Sequence, residues 1–163
     1  MDFQLPIRFD LRFKNSNGEN ERAVMVHRAL LGSVERFLGM LLENTEGKLP
    51  KWLTPRQVQV CSVTDDSKEY AERVSRYLVE CGVRSEDDGE KGGTLNAKIR
   101  RAASERVGLI CVVGKEEVDE GTVDVREGKD RVGKMKVEEL AHKVLSYHPH
   151  YRYTLDSLPK FTH

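Results

Sequence analysis

Apolar side chains take the odd positions Phe3, Leu5, Ile7, Phe9, Leu11 and Phe13, with polar residues or Pro6 between them. A period of two predicts a strand, edged or interrupted at Pro6, with one face in need of a partner. The turn formers Asn15, Ser16, Asn17, Gly18 and Asn20 then predict a second strand over about residues 22–29, folded back antiparallel on the first. After Gly32 the period changes. Ser33 suits an N-cap, and Val34, Phe37, Leu38, Leu41 and Leu42 recur at helical spacing until residues 47–50 break the pattern.

A second unit is predicted to begin near residue 50. Residues 57–63 form its first strand. Asp65, Asp66 or Ser67 caps a helix carrying Tyr70, Ala71, Val74, Tyr77, Leu78 and Cys81, and Gly82 supplies its left-handed stop. A strand over 83–87 and a polar loop over 87–93 follow. Thr94 then caps a helix with Leu95, Ile99, Ala102 and Ala103 inward and Lys98, Arg100, Arg101 and Arg106 outward. The unbroken apolar run 107–113 predicts a strand buried on both faces at the centre of a sheet. Residues 122–126 alternate as a shorter strand, 128–133 read as a charged turn, and Val137, Leu140, Ala141, Val144 and Leu145 mark a last helix. Residues 148–163 have no period and read as a surface tail, whose His148 and His150 make a solvated end in preference to a metal site.

The order β-α-β-α-β-β-α predicts an α/β fold, a mixed, mostly parallel sheet with flanking helices. A partial antiparallel segment precedes it, because two strands and one helix in residues 1–50 are too little to close their own core. The domain reading is therefore 1–50, 51–147 and a tail over 148–163.

Composition fits this organisation. The 163 residues are 38% hydrophobic and 33% charged, enough for one moderate core with an appendage. No apolar run reaches the length of a membrane span and no signal-peptide pattern opens the chain, so the expected compartment is the cytoplasm, with no membrane partner. Cys61, Cys81 and Cys111 lie far apart in apolar stretches and read as reduced, buried thiols. The formal net charge is zero, so an RNA-binding surface must come from local clustering of basic residues.

The densest chemistry lies in residues 24–37. Gly32 permits a tight turn, the helix after it presents unpaired N–H groups at its positive end, and Arg36 adds a permanently charged fork suited to phosphate. An ordinary strand-to-helix turn with a solvated Glu35–Arg36 pair accounts for the same residues.

Read with Trp52-Leu53-Thr54-Pro55-Arg56-Gln57-Val58, Thr94-Leu95-Asn96-Ala97-Lys98-Ile99-Arg100 and Val113-Gly114-Lys115-Glu116-Glu117-Val118, this stretch resembles the threonyl-tRNA synthetase family, in its order and nearly its spacing. The helix from Thr94 is more similar to the eukaryotic cytosolic branch than to the bacterial one. The resemblance implies that residues 1–50 end a class II catalytic domain, including its third signature motif, and that an anticodon-binding domain follows. It implies that Arg36 holds an ATP phosphate, magnesium accompanying the nucleotide, that Ser33 lies beside the substrates, and that His27 matches a zinc ligand. It further implies that Glu117 and Arg126, and less directly Asn96 and Lys98, contact the anticodon of a threonine tRNA.

A carboxylate accepts from base amino groups and an arginine donates to base edges, which suits unstacked anticodon bases. Without the resemblance, Glu117 and Arg126 read as a surface pair at a strand end. Two departures bear on these roles. Glu127 and Gly128 follow Arg126 where the family has a small polar residue and a second arginine. The family's Gln-Leu-Asp-Phe strand survives only as Met1-Asp2-Phe3, without its substrate-facing glutamine, so the expectation is a start set inside a longer sequence. The implied parent is an ATP-dependent threonine–tRNA ligase that binds threonine and zinc and forms a homodimer through upstream parts. This chain alone is expected to hold neither ATP nor zinc stably and not to activate threonine. The alternative is a noncatalytic accessory tRNA-binding protein, which would have no need of His27, Ser33 and Arg36; a small nucleotide-binding α/β domain lacks the glycine-rich loop it requires.

Overall fold

The computed structural model describes residues 1–89, 92–128, 130–151 and 157–161. The chain forms two compact units, Met1–Asn44 and Thr45–His163.

In the first unit, the period-two segment is a helix followed by a short strand. Helix α1 is Gln4–Arg8, and β1 is only Arg12–Lys14. The reason is local: Asp2 Oδ1 accepts hydrogen bonds from the backbone N–H groups of Gln4 (2.8 Å) and Leu5 (3.0 Å), and Pro6 falls in the first turn, where its missing N–H costs nothing. The second strand, β2, is Asn20–Arg22 and pairs antiparallel with β1 in the register Phe13↔Glu21. The expected strand over 22–29 is reduced to one bridge, Met25 to Asp2. Helix α2, Val34–Thr45, buries none of its residues, and Phe3, Phe9, Val26, Leu30 and Met40 are exposed as well. The unit's apolar surface thus exceeds what it can cover.

The second unit holds a five-stranded sheet in the order β4-β3-β5-β6-β7, made of β3 (Val58–Ser62), β4 (Ser85–Asp87), β5 (Leu109–Val113), β6 (Thr122–Glu127) and β7 (Asp130–Lys136). Strands β4 and β5 flank β3 in parallel, and β6 pairs antiparallel with both β5 and β7, so β6 alone opposes the other four. Strand β5 is buried throughout and central, as its apolar run predicts.

Helices α3 (Lys68–Glu80) and α6 (Val137–Ser146) pack on one face over Val58, Val60, Cys111, Val123 and Val125. Helix α4 (Leu95–Ser104) covers the other face through Leu95, Ile99 and Ala102 against Cys61 and Ile110. Ala103, expected inward, is exposed. The six-residue helix α5, Lys115–Glu120, is too short to show a period and was not predicted; Gly121 ends it at φ +67°. Strand β7 replaces the expected charged turn over 128–133. A bulge interrupts its pairing between Val125 and Arg126, which breaks the alternation a sequence reading relies on.

The tail is also not simply a surface segment. Phe161 stacks edge-on against Tyr70 and Tyr77, its N–H donates to Glu138 Oε1 (3.1 Å), and the Tyr77 hydroxyl donates to the Pro159 carbonyl (2.5 Å). One aromatic anchor fixes the segment without needing a period. His148 packs against Trp52 and His150, while residues 152–156, 162 and 163 of the expected tail lie outside the described residues.

Two substitutions test this packing. A Cβ at Gly108 would lie 2.7 Å from the Gln57 carbonyl oxygen, so Gly108→Ala is expected to cost about 1–3 kcal/mol in urea denaturation. Phe161→Ala is expected to cost about 2 kcal/mol, less than a fully buried phenylalanine. An unchanged midpoint in either variant contradicts the contact it removes.

Candidate functional site

The implied site residues fall in both units. In the first, Gly32 at φ +63° turns the chain into α2. Ser33 Oγ accepts weakly from the Arg36 backbone N–H (3.4 Å) and donates to Glu35 Oε2 (2.7 Å); that donation, with the Glu35 backbone N–H, holds the Glu35 carboxyl below its ordinary range. The Arg36 side chain is exposed in the first turn, where the helix end is positive. His27 is exposed and 4.0 Å from Asp2 Oδ2. Among the described residues, no group of three or more histidine, cysteine or acidic side chains could hold a metal. Zinc does not fit the ligands that this chain brings to His27.

In the second unit the candidates gather around the sheet but do not converge on one point. Glu117 is the third residue of α5 and turns back on its start: Oε2 accepts from the Gly114 N–H (2.9 Å) and Oε1 lies 3.5 Å from Lys134 Nζ. Its side chain is 12% exposed, so it is not the surface member of a Glu117–Arg126 pair. Lys134 is shared among Glu116 (2.6 Å), Glu117 (3.5 Å) and Glu120 (3.1 Å); Glu116 foremost and then Glu120 raise the lysine's pKa, while Lys134 lowers that of Glu116.

Asn96 is exposed in the first turn of α4, whose N-cap Thr94 accepts from the Ala97 N–H (3.4 Å). Lys98, expected to point outward, points inward. Its Nζ pairs with Asp88 and donates to the Ser62 carbonyl (2.9 Å) and hydroxyl (3.2 Å). The two side chains are 9% and 6% exposed. Helical spacing put Lys98 among the solvated arginines because the sequence does not show that Asp88, ten residues earlier, waits beneath it. Asp88 also accepts from the Ser62 N–H (3.3 Å), so one carboxylate joins the loop after β4, the end of β3 and α4.

Arg126 lies on β6, on the face opposite Val123 and Val125. The buried carboxylate of Asp124 stands on the same face, 3.8 Å from Arg126 Nε, and receives Arg131 Nε at 2.8 Å. Helix α4 packs on β3 and β5, leaving this β6–β7 half with a polar surface of Asp124, Arg126, Arg131 and Lys134. Sequence reasoning missed Asp124 and Arg131. The alternation Val123, Asp124, Val125, Arg126 places Asp124 beside Arg126, but Arg131 depends on the bulged hairpin register.

A groove of about 650 Å³ lies elsewhere, at the Gly108 end of β5, lined by Lys48, Lys51, Arg106, Glu127 and Asp130 among others. Lys51 and Glu127 pair across it at 2.5 Å, and none of the candidates lines it. The three cysteines are free thiols. Burial pushes Cys61 up to about 11, with Asp88 adding to the effect, and burial raises Cys111 and Cys81 as well.

Known proteins are similar to this chain in sequence and fold. Residues 57–147 match the family described as the anticodon binding domain, and residues 1–45 match the tRNA synthetase class II core domain (G, H, P, S and T). The threonine–tRNA ligase of Clostridium acetobutylicum is 40% identical over 145 residues, 88% of this chain and 23% of that protein. The chloroplastic/mitochondrial threonine–tRNA ligase 2 of Arabidopsis thaliana is 43% identical over 146 residues, again 88% of this chain and 22% of the relative. The solved RNA binding domain of threonyl-tRNA synthetase from Cryptosporidium parvum Iowa II superposes with a TM-score of 0.76 at 37% identity, over 90% of this chain and 37% of that one. The chain therefore spans less than a quarter of the length of these curated relatives.

Two outcomes test the geometry. Asp88→Ala leaves a buried ammonium unpaired and is expected to cost about 3–5 kcal/mol, whereas the paired replacement Asp88→Leu with Lys98→Met costs much less; equal losses in urea denaturation contradict a buried pair. At pH 8 the native chain is expected to alkylate first at half-exposed Cys81, with Cys61 and Cys111 labelling only on unfolding. Equal labelling of all three in the native state, read by mass spectrometry, contradicts this.

Proposed function

The chain belongs to the anticodon binding domain family, and on that premise we propose that it recognises the anticodon of a threonine tRNA as the C-terminal part of a threonine–tRNA ligase. One observation carries the reading: a class II core match and an anticodon-binding match stand in series, in a chain 40% identical to threonine–tRNA ligase over 145 residues. The domain reading is 1–50 for the end of the catalytic domain, 51–147 for the anticodon-binding domain and 148–163 for an appended tail. The helix from Thr94 supports an origin in the eukaryotic cytosolic branch, and a cytoplasmic location follows from that origin. Among the described residues no helix is long and apolar enough to cross a membrane.

Recognition is assigned to the open β6–β7 half of the sheet. Arg126 donates to a base edge and exposed Asn96 offers both a donor and an acceptor. Glu117 joins them by exchanging its bond to Lys134 for one to a base amino group, while its other oxygen keeps the α5 cap. Lys98 acts through Asp88, holding the α4 end that carries Asn96, and does not itself reach RNA.

In the whole ligase, Arg36 clamps an ATP phosphate with magnesium alongside, and Ser33 stands by the threonine substrate. ATP supplies the phosphorus at which the threonine carboxylate is activated before transfer to tRNA. Zinc and the homodimer belong to the whole enzyme, with His27 as one zinc ligand there. By itself the chain is expected to activate no threonine, since among the described residues no group of three metal-ligating side chains gathers. An accessory, noncatalytic tRNA binder is the second reading; His27, Ser33 and Arg36 together favour the ligase.

Titration of the 163-residue chain with threonine tRNA and with copies altered only in the anticodon tests the recognition. The unaltered tRNA is expected to bind at least about tenfold tighter, a difference that one base contact supplies. Equal affinities remove Glu117 and Arg126 from the recognition set. Threonine-dependent ATP–pyrophosphate exchange is expected to be absent from the chain alone; measurable exchange overturns that assignment.

A further inference from the structure

We propose that Asp124 positions Arg126 and Arg131 as paired guanidinium groups on the open sheet face, with Arg131 binding a phosphodiester of the RNA strand whose base meets Arg126. The proposal rests on the anticodon-recognition reading and adds to it a phosphate contact and a positioning residue.

The bulge creates the pair. On a regular β7 strand, Arg131 and Gly133 would share a face, and Gly133 pairs with Val125, whose side chain enters the core. The extra residue, Val132, shifts the register so that Arg131 pairs with Arg126 instead, and Gly133 takes φ +119°. Both arginines then stand over the same carboxylate.

That carboxylate is the buried element of the group. Asp124 meets Arg131 through Nε at 2.8 Å and Arg126 through Nε at 3.8 Å. Arg131 is held by a hydrogen bond through Nε, whereas Arg126 Nε is buried beside Asp124 without a hydrogen bond among the described residues, so charge and packing hold it. A guanidinium approached from its Nε side has its Nη edge available for the bidentate contacts that phosphates and base edges accept. Two cations against one carboxylate leave a net positive charge. Lys134, the next cation on the strand, is by contrast surrounded by Glu116, Glu117 and Glu120.

Exposure divides the roles. Arg126 is 34% exposed and lies low against the sheet, where an unstacked base can settle; Arg131 is 61% exposed and stands higher, where the strand's phosphates pass. Phosphate contacts fix register, while base contacts specify sequence. Asp124 itself repels phosphate, so its contribution is orientation and not affinity.

The test measures affinity of the full 163-residue chain for the threonine tRNA and for anticodon-altered copies across a range of salt concentrations, in the wild type, Arg131→Ala and Asp124→Asn. Arg131→Ala, at an exposed position, is expected to weaken all the RNAs by the same factor and to flatten the salt dependence by about 0.7–1. Asp124→Asn is expected to keep the salt slope and lower discrimination between anticodons by about tenfold. A role of Asp124 in folding alone would leave that ratio unmoved.

An Arg131→Ala variant with wild-type affinity and slope overturns the phosphate contact, as does a loss confined to one anticodon sequence. Full discrimination by Asp124→Asn overturns the positioning role. Should Asp124→Asn fail to fold, the Arg131→Ala slope still decides the clamp. A wild-type chain that binds every anticodon equally removes the recognition reading but leaves the slope comparison to judge Arg131, and a wild-type chain that binds no RNA overturns both.

Discussion

The double-sided burial of β5 is the constraint on which the second unit depends. Leu109, Cys111 and Val113 enter the core beneath α3 and α6, while Ile110 and Val112 face the other side. Each buried aliphatic side chain contributes about 1.5–3 kcal/mol by leaving water. A strand with both faces apolar has to lie centrally, so β3 and β6 are drawn to its two sides and the sheet order follows. Gly108 belongs to the same constraint, because β5 enters so close to Gln57 that no side chain fits there.

From that strand the sheet divides into two functional halves. On the parallel side, α4 covers β3 and β5, and the Asp88–Lys98 pair fastens it down. On the antiparallel side the α4 face carries charged side chains in place of a second helix, and the organisation is electrostatic: each cation is matched to carboxylates, with Arg126 and Arg131 outnumbering theirs. A neutral chain can thus present a local pair of guanidinium groups against one carboxylate. The parallel half is helix-covered and the antiparallel half exposes donors, a division that suits the proposed reading of an RNA strand.

Legibility in the sequence followed the length of each pattern. The buried run of β5, the long helices α3 and α6, and the Gly82 stop were all readable, because periodicity or an obligatory backbone conformation announced them. What failed were features set by one distant partner. Asp2 turned an alternating segment into α1, Asp88 turned Lys98 inward, and Phe161 tied down a segment with no period of its own. Strand β7 was hidden because its bulge removes the alternation. Among the site residues, the resemblance brought out Arg126 and Glu117, whereas Asp124 and Arg131 emerged only once the register of the β6–β7 hairpin was in view.

The central claim is that RNA meets this chain on the open β6–β7 half of the sheet. Amide chemical shifts recorded while the full chain is titrated with an anticodon stem-loop of threonine tRNA test it most directly. The account predicts that the largest changes fall at Glu117, Asp124, Arg126, Arg131 and the α4 turn around Asn96. Changes concentrated instead on α3 and α6, with the β6–β7 amides unmoved, would contradict it.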